Sequence, residues 1–418
     1  MSASATNPEL PHQTRPSLEP SPTRGDCEHE VVESLVQNFS IVVGGPVYDL
    51  LLRLGLMRHG LPNILHRMVA VIALTWVPLL LFSFRDGAAF GGQVQIPFLS
   101  DFSIYGRLLF GLPLLLLAEI VIDPAIRRGV AEFVDARFVR DQELPKFESI
   151  LRNVQRLRDS WIPEILLFAL AFFPVFVFQH EWTTDTLASW HTRARGLTAA
   201  GWWYAAFSAP LMRFVLYRWG FRYCVWAALL WRITRLDLVL MPDHPDRAAG
   251  LSFLGGVQKQ FGILFCASGC SFAGRVANSI VWEGEPLSSF KSLIVGFIGL
   301  SLIVGLFPLA LLAPKLAKVR RAGLREYGRL ASRYTESFDR KWVHYNTPAS
   351  EPLLGAADIQ SLADMGSSYA LVDAMRMVPI SKRLVVQLAV QAAVPLIPVI
   401  ILGTPTPELV HQVMKMIV

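Results

Sequence analysis

SLIVGFIGLSLIVGLFPLALLA, residues 292–313, lies between Lys291 and Lys315 and contains no charged side chain. A helix needs about 20 mainly apolar residues to cross the hydrocarbon core of a bilayer. This run meets that length alone, so it fixes the solvent of at least part of the chain as lipid. Comparable runs occupy residues 68–84, 104–122, 162–178, 201–219, 262–281 and 384–402. The composition agrees: 53% of the 418 residues are hydrophobic and only 17% are charged, where soluble domains carry about 25%. The expected fold is an all-α polytopic transmembrane helix bundle of about seven spans, with helical extensions outside the membrane.

Charge orients these spans. Basic residues near membrane helices gather in cytoplasmic connections. The connection after residue 122 carries Arg127, Arg128, Arg137, Arg140, Lys146, Arg152, Arg156 and Arg158. The one after residue 219 carries Arg222, Arg232, Arg235, Arg247 and Lys259. The one after residue 313 runs from Lys315 to Arg383 and is richer still. The alternate connections hold only Arg85, then Arg193 and Arg195, then Lys291. Seven spans then place the N-terminus in the cytoplasm and the C-terminus in the periplasm. The net charge of +6 follows from this topology and does not call for a nucleic-acid partner.

The organisation read from these patterns begins with a disordered cytoplasmic tail over residues 1–36, rich in Ser, Pro and Thr and without the apolar segment of a signal peptide. The bundle proper covers 37–313. It includes an interfacial helix near 41–57, interrupted by Gly44, Gly45 and Pro46, and cytoplasmic connections 123–161 and 220–259. Because residues 201–236 form one apolar stretch longer than a bilayer is thick, that helix is expected to continue to Pro242. A cytoplasmic amphipathic helical segment occupies 314–383, and 384–418 supply the seventh span and a short external tail.

Charges inside spans are costly and face the bundle interior or water. Glu119, Glu164, Arg213 and Arg218 fall near the cytoplasmic side under this topology, and Arg107 and Arg275 near the outer ends of their spans. These six are the candidate pathway residues, with Glu119–Arg213 as the expected pair. A second candidate is the turn built from Asp237, Asp243, His244, Asp246 and Arg247. Its two prolines, Pro242 and Pro245, forbid a continuous helix, and Asp243 or Asp246 can cap a helix beginning near Ala248. A third is the ridge of Arg321, Arg325, Arg329 and Arg333 at four-residue spacing, suited to anionic lipid head groups or an acidic partner. Gly262, Cys266, Cys270 and Gly274 form a stripe of small residues that lets helices approach closely, within the fold or between copies in a homo-oligomer.

The segments 237–254 and 358–379 resemble stretches of uncharacterised bacterial multi-pass inner-membrane proteins. The resemblance covers under a tenth of the chain. It implies a bacterial inner membrane and no particular activity.

The chain contains no H-E-x-x-H, no G-x-x-x-x-G-K-[ST] and no strand-linked G-x-G-x-x-G. The expectation is a non-enzymatic protein with no cofactor and no metal. It is read as a transporter or channel for a small solute or ion. The rival reading is a membrane scaffold or sensor that binds a partner through its basic helices.

Overall fold

The computed structural model describes residues 24–53, 64–90, 94–177, 189–193, 196–344 and 357–404. Twelve helices account for most of them: α1 (Arg24–Gln37), α2 (Pro46–Arg53), α3 (Ile64–Arg85), α4 (Phe102–Asp135), α5 (Leu144–Arg158), α6 (Trp161–Val177), α7 (199–233), α8 (Phe253–Trp282), α9 (Leu287–Ala310), α10 (Ala313–Phe338), α11 (Ala357–Asp373) and α12 (Lys382–Gly403). The described strands form a two-residue antiparallel hairpin, Thr192–Arg193 with Gly196–Leu197.

Five of these helices, α3, α4, α8, α9 and α12, are long and apolar enough to cross a bilayer. Their outward faces are apolar as well. Leu293, Val295, Leu300 and Ile303 on α9, and Val386, Val390, Ile397 and Ile401 on α12, are all exposed. A soluble protein rarely leaves so continuous an apolar surface in water, so these faces meet lipid. The third and fourth expected spans differ from the other five. The described part of α6 is 17 residues long, and α7 carries Arg213, Arg218, Arg222 and Arg232 along its length.

The most enclosed of the five is α4. Leu108, Leu112, Leu115, Ala118, Ile122, Ile126 and Phe133 on it are buried, against α3, α7 and α8. The small-residue stripe explains the closest of these approaches. A Cβ on Gly106 would stand 2.3 Å from the Cys270 carbonyl oxygen, and one on Gly274 2.4 Å from that of Phe102. Cys270 and Gly274 of the stripe therefore serve the α4–α8 contact within one chain, while Gly262 faces Gln391 of α12.

Three boundaries depart from the sequence expectations. Residues 24–37 form α1, with Val32 and Val36 buried against α4 and α5, so the expected disordered tail does not extend to residue 36. Residues 1–23 lie outside the described residues, as do 54–63 and the tail beyond 404. Of the interfacial helix expected near 41–57, residues 54–57 lie outside the described residues, and the described part begins only at Pro46 in α2, because Gly44 and Gly45 take left-handed φ values of 119° and 92°. Finally, α7 ends at Ile233 and does not reach Pro242. The following stretch is drawn aside by the Val239 N–H, which donates to the Phe138 carbonyl at 2.8 Å.

Candidate functional site

Alternating helix directions give the bundle two ends. The basic end carries α5, the 234–252 connection and α10. The opposite end carries residues 94–101, the hairpin strands 192–193 and 196–197, and the α8–α9 connection.

At the basic end, charged groups from several helices close on a buried segment of the chain. Glu119 on α4 is 4% exposed. Arg67 on α3 reaches one of its oxygens at 2.8 Å and Arg222 on α7 the other at 3.3 Å. One turn before Arg222, Arg218 pairs with Glu164 on α6 at 3.3 Å. Residues 39–42 are buried among these groups. Arg222 also donates to the Val42 carbonyl at 3.0 Å, Arg158 donates to the Ser40 carbonyl at 2.7 Å, and Glu164 accepts the Val47 N–H at 2.9 Å. The Ser40 hydroxyl donates to Asp123, which Arg127 meets at 3.0 Å. Glycine at 44 is required by its φ, and a Cβ there would lie 2.7 Å from the Arg158 guanidinium carbon and push that side chain aside. Each buried charge has an opposite charge or a hydrogen-bond partner, the condition under which burial is tolerated. The remaining void beside Arg158, Glu164 and Arg218 is only about 10 Å³.

The expected Glu119–Arg213 pair is not formed. Arg213 and Arg222 are nine residues apart, two and a half helical turns, and so lie on opposite sides of α7. Arg222 faces α4, while Arg213 approaches the Ala171 carbonyl of α6 at 3.5 Å. The expected company of Glu164 and Arg218 does assemble. Arg67 and Arg222 were missed as partners. Arg67 stands one residue outside the expected first span, and Arg222 three residues beyond the expected fourth. The available signal was the four-residue spacing of Arg218 and Arg222, which puts both on one helix face.

At the opposite end a polar recess of about 250 Å³ opens between α4, α7 and α8, lined by Arg107, Arg275, Tyr204, His191, Asn278, Asp101 and Glu283 among others. Thus Arg107 and Arg275, the two candidates placed at the outer ends of their spans, share one cavity. Arg107 donates to the Tyr204 hydroxyl at 2.6 Å. Both residues belong to π-helical turns, 105–111 in α4 and 204–208 in α7. A proline follows each wide turn and contributes to it. Pro113 and Pro210 lack an N–H and crowd the preceding turn. The residue just before each proline instead bonds five residues back, Leu112 N–H to the Arg107 carbonyl and Ala209 N–H to that of Tyr204. Such π turns inside α-helices are rare and concentrate at functional sites.

Asp101 organises one wall of the recess. One oxygen accepts the N–H groups of Ser103 and Ile104 at 2.9 and 3.3 Å and the Asn278 amide at 2.7 Å; the other accepts the Trp190 indole at 2.8 Å. Asn278 in turn accepts the Phe102 N–H at 2.8 Å. Asp101, Tyr204 and Asn278 were not singled out from the sequence, because a loop carboxylate and two uncharged side chains carry no span-level charge signal.

The other two candidate groups sit at the basic end. Asp246 does not cap a helix at Ala248. It accepts the N–H groups of Ala248, Gly250 and Ser252 at 2.7, 3.1 and 3.0 Å, and α8 begins only at Phe253. The reason is backbone shape: Arg247, Ala249 and Gly250 all take positive φ. Burial pushes the Asp246 carboxyl up, but these three N–H groups and His244, 2.9 Å away, outweigh it and hold its pKa below the ordinary value. Asp237 pairs with Arg140 at 2.6 Å. Asp243 lies beside Tyr327 of α10 and, after burial, helps to push that phenol up. Arg376 clasps this turn through the Asp246 carbonyl at 2.8 Å. The two segments 237–254 and 358–379, separate in sequence, are therefore in direct contact. Along α10, Arg321, Arg325, Arg329 and Arg333 are all exposed, and among the described residues none has a carboxylate partner. Comparison with known proteins returned no matching family model, no matching curated protein and no matching solved structure.

Proposed function

We propose that this chain is a non-enzymatic carrier or channel for a small solute or ion, held in a bacterial inner membrane. The observation that supports this reading is the asymmetry of the bundle's two ends. A polar recess enters one end between α4, α7 and α8. The other end is sealed by residues 38–47 and the Glu119, Glu164, Arg218 and Arg222 network. A path open on one side and closed on the other is what alternating access requires of a transporter at rest. In this reading α6 and α7 join the five long apolar helices as spans, giving seven. The exposed apolar face of α6, with Ile162, Ile165, Leu166 and Phe173, favours that count. The basic end then faces the cytoplasm, the recess faces the periplasm and the C-terminal tail lies outside.

The test is flux. Purified protein in proteoliposomes should release or accumulate a small solute, and Glu119→Gln should alter that flux. Vesicles that stay as tight as protein-free ones, across ions and small organic solutes, would overturn the reading. A second reading is favoured by one observation, the solvent-facing Arg321, Arg325, Arg329 and Arg333 ridge. In it the α10–α11 pair docks on anionic lipid head groups or an acidic partner and makes the protein a scaffold or sensor.

A further inference from the structure

We infer that the recess at the end opposite the basic loops is a binding site for a small oxyanion, a molecule presenting a carboxylate, phosphate or sulfate group. The inference rests on reading the recess as the outer mouth of a transport path, and it names the class of solute. At about 250 Å³ the cavity is just below the roughly 300–1,000 Å³ of sites that hold drug-sized ligands, so its guest is small.

Charge decides its sign. The ionised side chains lining the recess are Arg107, Arg275, Asp101 and Glu283. Asp101 is 6% exposed and already engaged by donors of the protein itself. One of its oxygens already accepts two backbone N–H groups and the Asn278 amide, and the other accepts the Trp190 indole. A carboxylate offers about four acceptor positions; four donors, three of them on one oxygen, take up most of that capacity in Asp101. Glu283 caps the end of α8 and is exposed at the rim, where water screens it. The unused hydrogen-bonding capacity therefore belongs to the guanidinium groups. Arg107 uses one nitrogen on Tyr204. Among the described residues Arg275 makes no hydrogen bond or ion pair. A guanidinium is a planar fork of five donors that matches the oxygen spacing of a carboxylate or phosphate. The π turns at 105–111 and 204–208 fix the backbone carrying Arg107 and Tyr204, so one of the two forks is held before the ligand arrives. Among the described lining residues a cation would find only Glu283 at the rim as a carboxylate not engaged by several donors, and it would be repelled by the two guanidinium groups.

The experiment is calorimetric titration of the purified full-length protein in lipid nanodiscs with sodium succinate, phosphate and sulfate. Glycine and choline chloride serve as zwitterionic and cationic probes. At least one oxyanion should bind saturably, more weakly as salt rises, and choline should not. Arg107→Gln should weaken that binding about thirtyfold, the loss expected when one partner of a buried charged pair is truncated. Arg275 is exposed, so Arg275→Gln leaves the fold intact and should weaken binding about tenfold. Lys291→Gln removes the same charge at the same end but outside the recess, and should leave affinity unchanged. No binding of any oxyanion, or equal affinity in wild type, Arg107→Gln and Arg275→Gln, would overturn the inference. The two proposals fail separately: binding without flux removes the transport reading, and flux of a cation without oxyanion binding removes this one.

Discussion

Glu119 holds two guanidinium groups in a site that water hardly reaches, and this sets the cost of changing it. Removing one member of a buried charge set leaves the others unpaired, at about 3–5 kcal/mol. Glu119→Gln should therefore lower stability in detergent by about that amount, since Arg67 and Arg222 would both lose their carboxylate. A double-mutant cycle identifies the partner. Glu119 and Arg222 should couple by about 1 kcal/mol or more, and Glu119 and Arg213 by close to zero; the reverse order would mean that the sequence-derived pair was right. Asp246 gives a second test at this scale. Its folded pKa lies below the unfolded value of about 3.9. Its contribution is thus fully present above pH 4 or so and is lost as pH falls through the folded value. The melting temperature of wild type should drop on acidification below pH 4 more steeply than that of Asp246→Asn, and parallel curves would remove Asp246 from the account. That intramembrane charge matters was legible in the sequence, but its pairing was not. Glu119 has basic residues on several neighbouring helices, and only the rotation of α7 about its axis selects Arg222 over Arg213.

Between elements, the α4–α8 contact depends on glycine at specific points. Gly274→Leu should cost about 1–3 kcal/mol or more, because the atoms its Cβ meets are backbone atoms of Phe102 and Ser103 that cannot rotate away. Leu293→Ala on α9, 56% exposed and facing lipid, should cost less. Equal melting temperatures for Gly274→Leu and wild type would show that the helices are not in contact there. The basic ridge is tested by replacing Arg321, Arg325, Arg329 and Arg333 together with Gln. Each basic residue near an anionic surface contributes about 1 kcal/mol, so the variant should retain less anionic lipid through purification, measured by native mass spectrometry. Unchanged lipid retention would leave α10 with packing alone, through contacts such as Arg320 with Asp373 at 3.0 Å. The stripe and the ridge were both readable as residue spacing, since helical periodicity puts every fourth residue on one face. The π turns were not. Many membrane helices contain proline, and nothing in the local sequence distinguishes the prolines that widen a turn from those that do not.

For the whole molecule, apolar run lengths in the sequence suffice to reveal the membrane bundle and five of its helices. The proposed side assignment rests on counting basic residues. The strap at 38–47, buried over 39–42, could not be foreseen, because serine, valine and glycine in that order describe a loop equally well. Its burial depends on contacts with Asp123, Arg158 and Arg222 far along the chain. The account as a whole stands on one orientation: the recess outside, and the sealed basic end with α10 inside. That orientation can be measured directly. In a variant with Cys27, Cys224, Cys266 and Cys270 replaced, single substitutions S189C, E285C, R137C, R247C and R329C are exposed to a membrane-impermeant thiol reagent in intact cells. Labelling is predicted for S189C and E285C in intact cells, and for R137C, R247C and R329C only after the membrane is opened. Labelling of R329C in intact cells, with E285C protected, would contradict the orientation and with it the reading of the recess as an outer mouth.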